Sequence, residues 1–188
     1  MNAAPVAPGL RQLLVFTLTA QHVRSEAEAY ARCLGYVIAE ETALSAKLAA
    51  VWNCLALIGQ RMILLHAASG ADTWLRLMEM PAASRPAPLL GHGCNAMEVL
   101  VEDPYRLARE LEGSSFRVVI PPQPLPFDAA IHAMQVIGPA GELLYMTALP
   151  ANKNLLDLSA ARARVDRPFI AILGGPDAAA LESETLTA

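Results

Sequence analysis

At 188 residues, 54% hydrophobic and only 17% charged, the chain can build one sizeable core or two small packed units, which excludes disorder over most of its length. A formal charge of -4 with no dense Lys/Arg run excludes the basic stripe that nucleic acid needs. Three cysteines, Cys33, Cys54 and Cys94, without a CxxC pairing, argue against a disulfide frame and for reduced thiols, small hydrophobes in the core.

The opening MNAAPVAPGLRQ reads without the basic and apolar regions of a signal peptide, and no apolar run approaches the roughly 20 residues of a membrane span. A cytoplasmic protein with no membrane partner is the expectation. Residues 11–21, RQLLVFTLTAQ, read as a strand. SEAEAYARCLG follows as a helix, with Ser25 and Glu28 as a capping box and Gly35 at the C-terminal cap. Ala27, Tyr30, Ala31 and Leu34 repeat at helical spacing and predict its buried stripe. YVIAEE is a strand, SAKLAAVWNCLAL a second helix or turn-rich segment, and RMILLHA and TWLRLMEMP two further strands.

AASRPAPLLGHG is rich in proline and glycine and reads as a linker. After it the order of elements repeats. NAMEVLVED is a strand, and DPYRLARELEG a helix with Asp103 at the N-cap, Pro104 in the first turn and Gly113 past its end. FRVVIPP, IHAMQVIG and ELLYMTALP supply three more strands. Two copies of strand–helix–strand–strand–strand, each about 60 residues, are the main organisational signal. Their boundaries fall at residues 11–81 and 94–150, with a linker at 82–93 and a tail at 151–188. That tail begins as a polar, partly helical connector. Its PFIAILGGPDAAALES then reads as a short apolar strand and a helix start, and such a strand has to dock on its own sheet or on another subunit's.

A βαβββ unit occurring twice, with LGY closing the first helix, LRLMEMP ending the first copy and GPAGELLYM ending the second, resembles the vicinal oxygen chelate superfamily of glyoxalases, bleomycin-resistance proteins and extradiol dioxygenases. The resemblance implies an α+β fold of two paired modules forming a half-open barrel around one site, with the tail resembling the start of a further module. It also implies metal ligands, usually His, Glu or Gln, from the first and last strand of each module. Counted onto this chain they fall at Val15, Arg76, Ala96 and Tyr145. The first three are no donors for a divalent ion and a phenol is a poor one, so no metal and no cofactor are expected.

If Tyr145 stands at a ligand position it faces the cavity, and strand alternation places Trp74, Arg76 and Met78 on the same wall, with Ala96, Glu98 and Leu100 across from them. Glu98 is then a candidate proton carrier and Tyr145 a candidate oxyanion partner, the two catalytic candidates. Arg76, Trp74, Met78 and His92 are the substrate-binding candidates. Arg76 suits a carboxylate or enolate clamp, or simply an ion pair with Glu98. Glu98 is otherwise a surface charge, and Tyr145 a core tyrosine. His22, His66 and His132 read as turn or strand-end residues, and the 4 histidines never fall at a metal-ligand spacing. No nucleotide-binding or hydrolase motif is present.

The resulting expectation is a metal-independent protein that binds a small hydrophobic or carbonyl-bearing organic molecule and acts as a lyase or isomerase by proton transfer. Two alternatives stand beside it. One is a non-catalytic binder that sequesters its ligand, as in the bleomycin-resistance branch; the other is an inactive or partial half of a tandem protein. A homodimer is expected, because the tail strand needs a partner.

Overall fold

A computed structural model describes residues 13–80, 88–150, 159–175 and 177. The first half runs β1 (Val15–Ala20), α1 (Val23–Ala29), one π-helical turn (Tyr30–Leu34), β2 (Val37–Ala43), α2 (Ala46–Val51), β3 (Arg61–His66) and β4 (Trp74–Glu79). The second runs β5 (Gly93–Val101), α3 (Pro104–Glu110), β6 (Arg117–Leu125), β7 (Asp128–Ile137) and β8 (Leu143–Ala148), followed by β9 (Val165–Gly174). The first sheet has the order β1-β4-β3-β2 and the second β6-β7-β8-β5-β9. In each half the first and last strands pair parallel and the others antiparallel, so the two halves share one topology. Neither sheet closes on itself, which is the half-open arrangement of two βαβββ units.

Local chemistry explains most of these elements. Asp103 caps α3 by accepting from the N–H groups of Tyr105 and Arg106, with Pro104 in the first turn. Ser45 caps α2 through Leu48 N–H. Gly35 ends the π-helical turn at φ +76°, a left-handed conformation in which any other residue carries a steric cost. The expected capping box at Ser25 and Glu28 does not form. The helix starts three residues earlier, with His22 at its cap, and the Ser25 hydroxyl donates to His22 O. Burial explains the difference: Val23 is 0% exposed, so tertiary packing draws the first turn into the helix.

One core runs through both halves. Phe16, Leu75 and Leu77 from the first sheet join Val99, Val136, Leu144 and Met146 from the second, together with Tyr30 and Leu107 from the helical segments. Burying each leucine contributes about 2 kcal/mol. The rings of Tyr30 and Phe116, one from each half, meet edge to face at 5.2 Å. A smaller cluster of Leu44, Ala49, Met62 and Met78 seats α2 on the opposite face of the first sheet.

The tail is part of this body. Its strand β9 pairs antiparallel with β5, so the docking it requires is supplied within the chain. Asp166, 0% exposed, accepts from the Ser69 hydroxyl and from the N–H groups of Arg162 (2.9 Å) and Arg167 (2.8 Å). Its own carbonyl accepts from Tyr36 Oη at 2.8 Å, and Arg164 donates to Cys33 O at 2.9 Å while pairing with Glu110. The argument that an unsatisfied tail strand forces a dimer therefore falls. The polar connector expected before the strand is described only from residue 159, where bends rather than helix lead into β9, and the expected helix start after it lies outside the described residues. Among the described residues no helix is long and apolar enough to cross a membrane.

Candidate functional site

Alternation along β4 sends Leu75 and Leu77 into the main core and leaves Trp74 and Arg76 on the other face. There the Arg76 guanidinium lies 4.7 Å above the Trp52 ring, a cation–π contact, and Nη1 donates to Thr17 Oγ1 at 3.4 Å. Partial burial lowers its pKa. Trp74 packs edge to face on His66 at 5.0 Å, Met78 is sealed beneath α2, and His92 is exposed ahead of β5.

In the second half Glu98 and Tyr145 are direct register partners on β5 and β8. Thr147, 1% exposed, donates its hydroxyl to Glu98 Oε1 at 2.6 Å. Burial raises the Glu98 pKa, and the Thr147 hydrogen bond pulls it the other way. Glu98 and Tyr145 are thus brought together, and Arg76 is engaged elsewhere: among the described residues it is bonded to neither. The register of the parallel strands sets the partners of the two counted positions on the last strands. Across from Arg76 stands Thr17, two residues on from Val15, and across from Tyr145 stands Glu98, two residues on from Ala96.

None of this fits a chelated divalent ion. A guanidinium stacked on an indole cannot donate an electron pair, and the facing Thr17 offers only a neutral hydroxyl. Among the described residues no group of three or more His, Cys, Asp or Glu gathers as a metal site would require.

A cavity of about 460 Å³ opens where the two halves meet. One wall is β1, lined continuously from Val15 to Thr19; it is the edge strand of its sheet. The others are the start of β5 (Cys94 to Met97), the turn into β8 (Ala140 to Leu143) and Ala171 and Leu173 of β9. Val15 and Ala96, two of the positions counted as ligand sites, line it, but Glu98, Tyr145, Arg76, Trp74, Met78 and His92 do not. Cys94, whose thiol pKa is raised by burial, and Glu142 are its ionisable lining residues among those described.

Glu142 is the residue that sequence reasoning passed over. Glu142 is partly exposed and lines the cavity, while its carboxyl is largely buried. Oε1 accepts from Tyr30 Oη, contributed by the other half of the molecule, and Oε2 is sealed from solvent without a hydrogen-bond partner. The carboxyl is pressed on the backbone of Gly138, where an added Cβ would stand 2.0 Å from Oε1. Burial raises its pKa to about 7; the Tyr30 hydroxyl and the backbone at Ala140 and Glu142 act against that, and the nearby Glu26 reinforces it. The same surroundings push the Tyr30 phenol well above 10. A carboxyl with that pKa at a cavity wall can hold or release a proton near neutrality.

No family model and no curated protein sequence matches the chain. Solved structures do. A glyoxalase family protein from Bacillus cereus superposes with a TM-score of 0.57 at 14% identity, covering 77% of this chain and 97% of that one. A glyoxalase-related enzyme from Fulvimarina pelagi gives 0.53 at 16%, covering 82% and 99%. Glyoxalase I from Zea mays gives 0.55 at 12%, over 72% of this chain, which spans only 44% of the maize protein. Identities this low speak for architecture alone: the chain has the paired βαβββ fold of the glyoxalase, bleomycin-resistance and dioxygenase superfamily.

Proposed function

We propose that this chain is a metal-independent small-molecule-binding protein that holds a hydrophobic organic molecule in the cavity between its two halves. The cavity itself carries the reading. Its volume of about 460 Å³ lies in the range of small-molecule sites, and its walls are mostly apolar with a few polar groups, among them Thr17, Asn95 and Glu142. Replacing Val15, which is 37% exposed on the β1 wall, by Trp fills the cavity without disturbing the core. The wild-type chain is expected to take up the neutral apolar dye N-phenyl-1-naphthylamine and the Val15→Trp variant to lose at least tenfold in affinity. Equal dye binding by both, with both folded by circular dichroism, places the ligand elsewhere.

Proton transfer is a second reading, at a different place in the fold, because Glu98 and Tyr145 are not among the residues that line the cavity. The half-buried Glu98, with its pKa raised and the Tyr145 phenol as its register partner, supports it. In this version Glu98 moves the proton and Tyr145 meets the oxygen that gains charge, while Arg76 is left to Trp52. Turnover of a carbonyl-bearing ligand that survives Glu98→Gln removes Glu98 from the mechanism. A ligand recovered chemically unchanged after long incubation leaves the binding role alone standing.

A further inference from the structure

The cavity holds one feature that the binding of a hydrophobic molecule does not use. Among the described residues that line it, Glu142 is the single carboxylic acid, and no Lys, Arg or His stands with it. Its Oε1 accepts from Tyr30, whereas Oε2 is sealed from solvent without a well-aligned hydrogen bond, the nearby backbone at Ala140 and Glu142 easing its charge only in part. A buried acceptor without a donor is costly, and a charged one more so. Glu26 adds further negative potential from α1, acting on both Tyr30 and Glu142. We propose that this cavity selects an apolar molecule bearing a basic amine, whose ammonium donates to Oε2 of Glu142.

The inference rests on the reading of the cavity as the ligand site and names the class of ligand. Binding requires the carboxyl to swing from the Gly138 backbone toward the cavity that Glu142 already lines. A cation arriving there supplies the missing donor and offsets the cost of ionising Glu142 in a dry place. Selection therefore depends on pH. The titratable groups facing Glu142 are Glu26 of α1, Tyr30 of the π-helical turn and, beyond it, Tyr36; Cys94 faces the same cavity from β5. Burial brings Glu142 to about 7, so its charge, and with it the preference for a cation, fades as the pH falls through neutrality.

The test compares 1-naphthylmethylamine with the equally shaped, neutral 1-naphthylmethanol by calorimetry from pH 6 to 8.5. At pH 8 the amine should bind about tenfold more tightly than the alcohol, as a charge-assisted hydrogen bond implies, and the ratio should shrink toward one at pH 6. In Glu142→Gln the ratio should stay near one at every pH. In Tyr30→Phe, where the bond that lowers the Glu142 pKa is gone, the amine preference should appear only at a higher pH. Equal affinities of wild type for the two compounds at pH 8 overturn the amine proposal and leave the cavity reading intact. Binding of neither compound overturns the cavity reading itself. A preference that survives Glu142→Gln shows that the cation is held by another group.

Discussion

Replacing Glu142 by Gln tests the buried acid without any ligand. In the folded chain burial raises its pKa from the ordinary 4.5 to about 7. The native state therefore binds this proton more tightly than the unfolded chain does. Between those two pH values it holds more protons, and stability falls as pH rises. Below 4.5 both states are protonated and the group costs nothing; above about 7 the full cost of the buried charge is present. At about 1.4 kcal/mol per pKa unit the total is about 3 kcal/mol, an order-of-magnitude figure. A glutamine keeps the shape and the acceptor for Tyr30 but never ionises, so its stability lacks this slope.

Urea unfolding at half-unit steps from pH 4.5 to 8.5 reads the difference directly, because every other titrating group is common to both chains. The wild type should lose about 3 kcal/mol relative to Glu142→Gln across that range, a shift of about 1.5 M in midpoint at a slope of about 2 kcal/mol/M. The unsatisfied amide introduced by glutamine displaces the whole curve without tilting it. Two parallel curves would show that the carboxyl is ionised at no special cost, and the burial argument would be wrong.

Gly138→Ala drives a methyl into the Glu142 carboxyl and should cost about 2 kcal/mol, most of it recovered when Glu142 is also Ala; thermal melts of the double-mutant cycle check the coupling. Asp166→Ala strands the Ser69 hydroxyl and the N–H groups of Arg162 and Arg167, and should destabilise the chain by about 3 kcal/mol or more; hydrogen exchange in Ile170–Ile172 of β9 should accelerate before that in β7. Thr147→Val removes the hydroxyl that holds the Glu98 pKa down, so the pKa should rise further, and an unchanged carboxyl titration by NMR would deny the contact its role.

The order of elements was legible because each is written locally. Short runs rich in apolar residues mark β4, β5 and β8, and the Asp103, Pro104 and Gly113 triplet brackets α3. Readings faltered where distant contacts outweigh local signals. Strand β6 continues through Pro121, Pro122 and Pro124, which local propensity takes as its end. Prolines are tolerated there because β6 is the edge of its sheet and one row of its N–H groups needs no ladder partner. Strand β9 begins at Val165 rather than at the apolar run near Phe169, since Asp166 and Arg167 looked like part of a polar connector. The partner that reveals Asp166, Ser69, comes from the first half of the chain, 97 residues away.

The same reasoning explains why the candidate site was only half legible. Arg76, Glu98 and Tyr145 are polar residues on the face away from the core, at or near positions where related folds place ligands, and that makes them visible in the sequence. Glu142 stands in the opposite phase. Counting back along β8 it falls in step with Leu144 and Met146, both 0% exposed, and on α1 Glu26 sits one turn before Tyr30, which is 1% exposed. A carboxylate in the apolar phase of a strand is too costly to bury by accident, so the phase itself was a usable signal. What no local pattern could reveal is that Tyr30, 112 residues away, would meet it. That contact joins the two halves at the cavity wall. The acid, the cavity and the joint between the modules are consequently one structure, and a change in the charge of Glu142 is felt by all three.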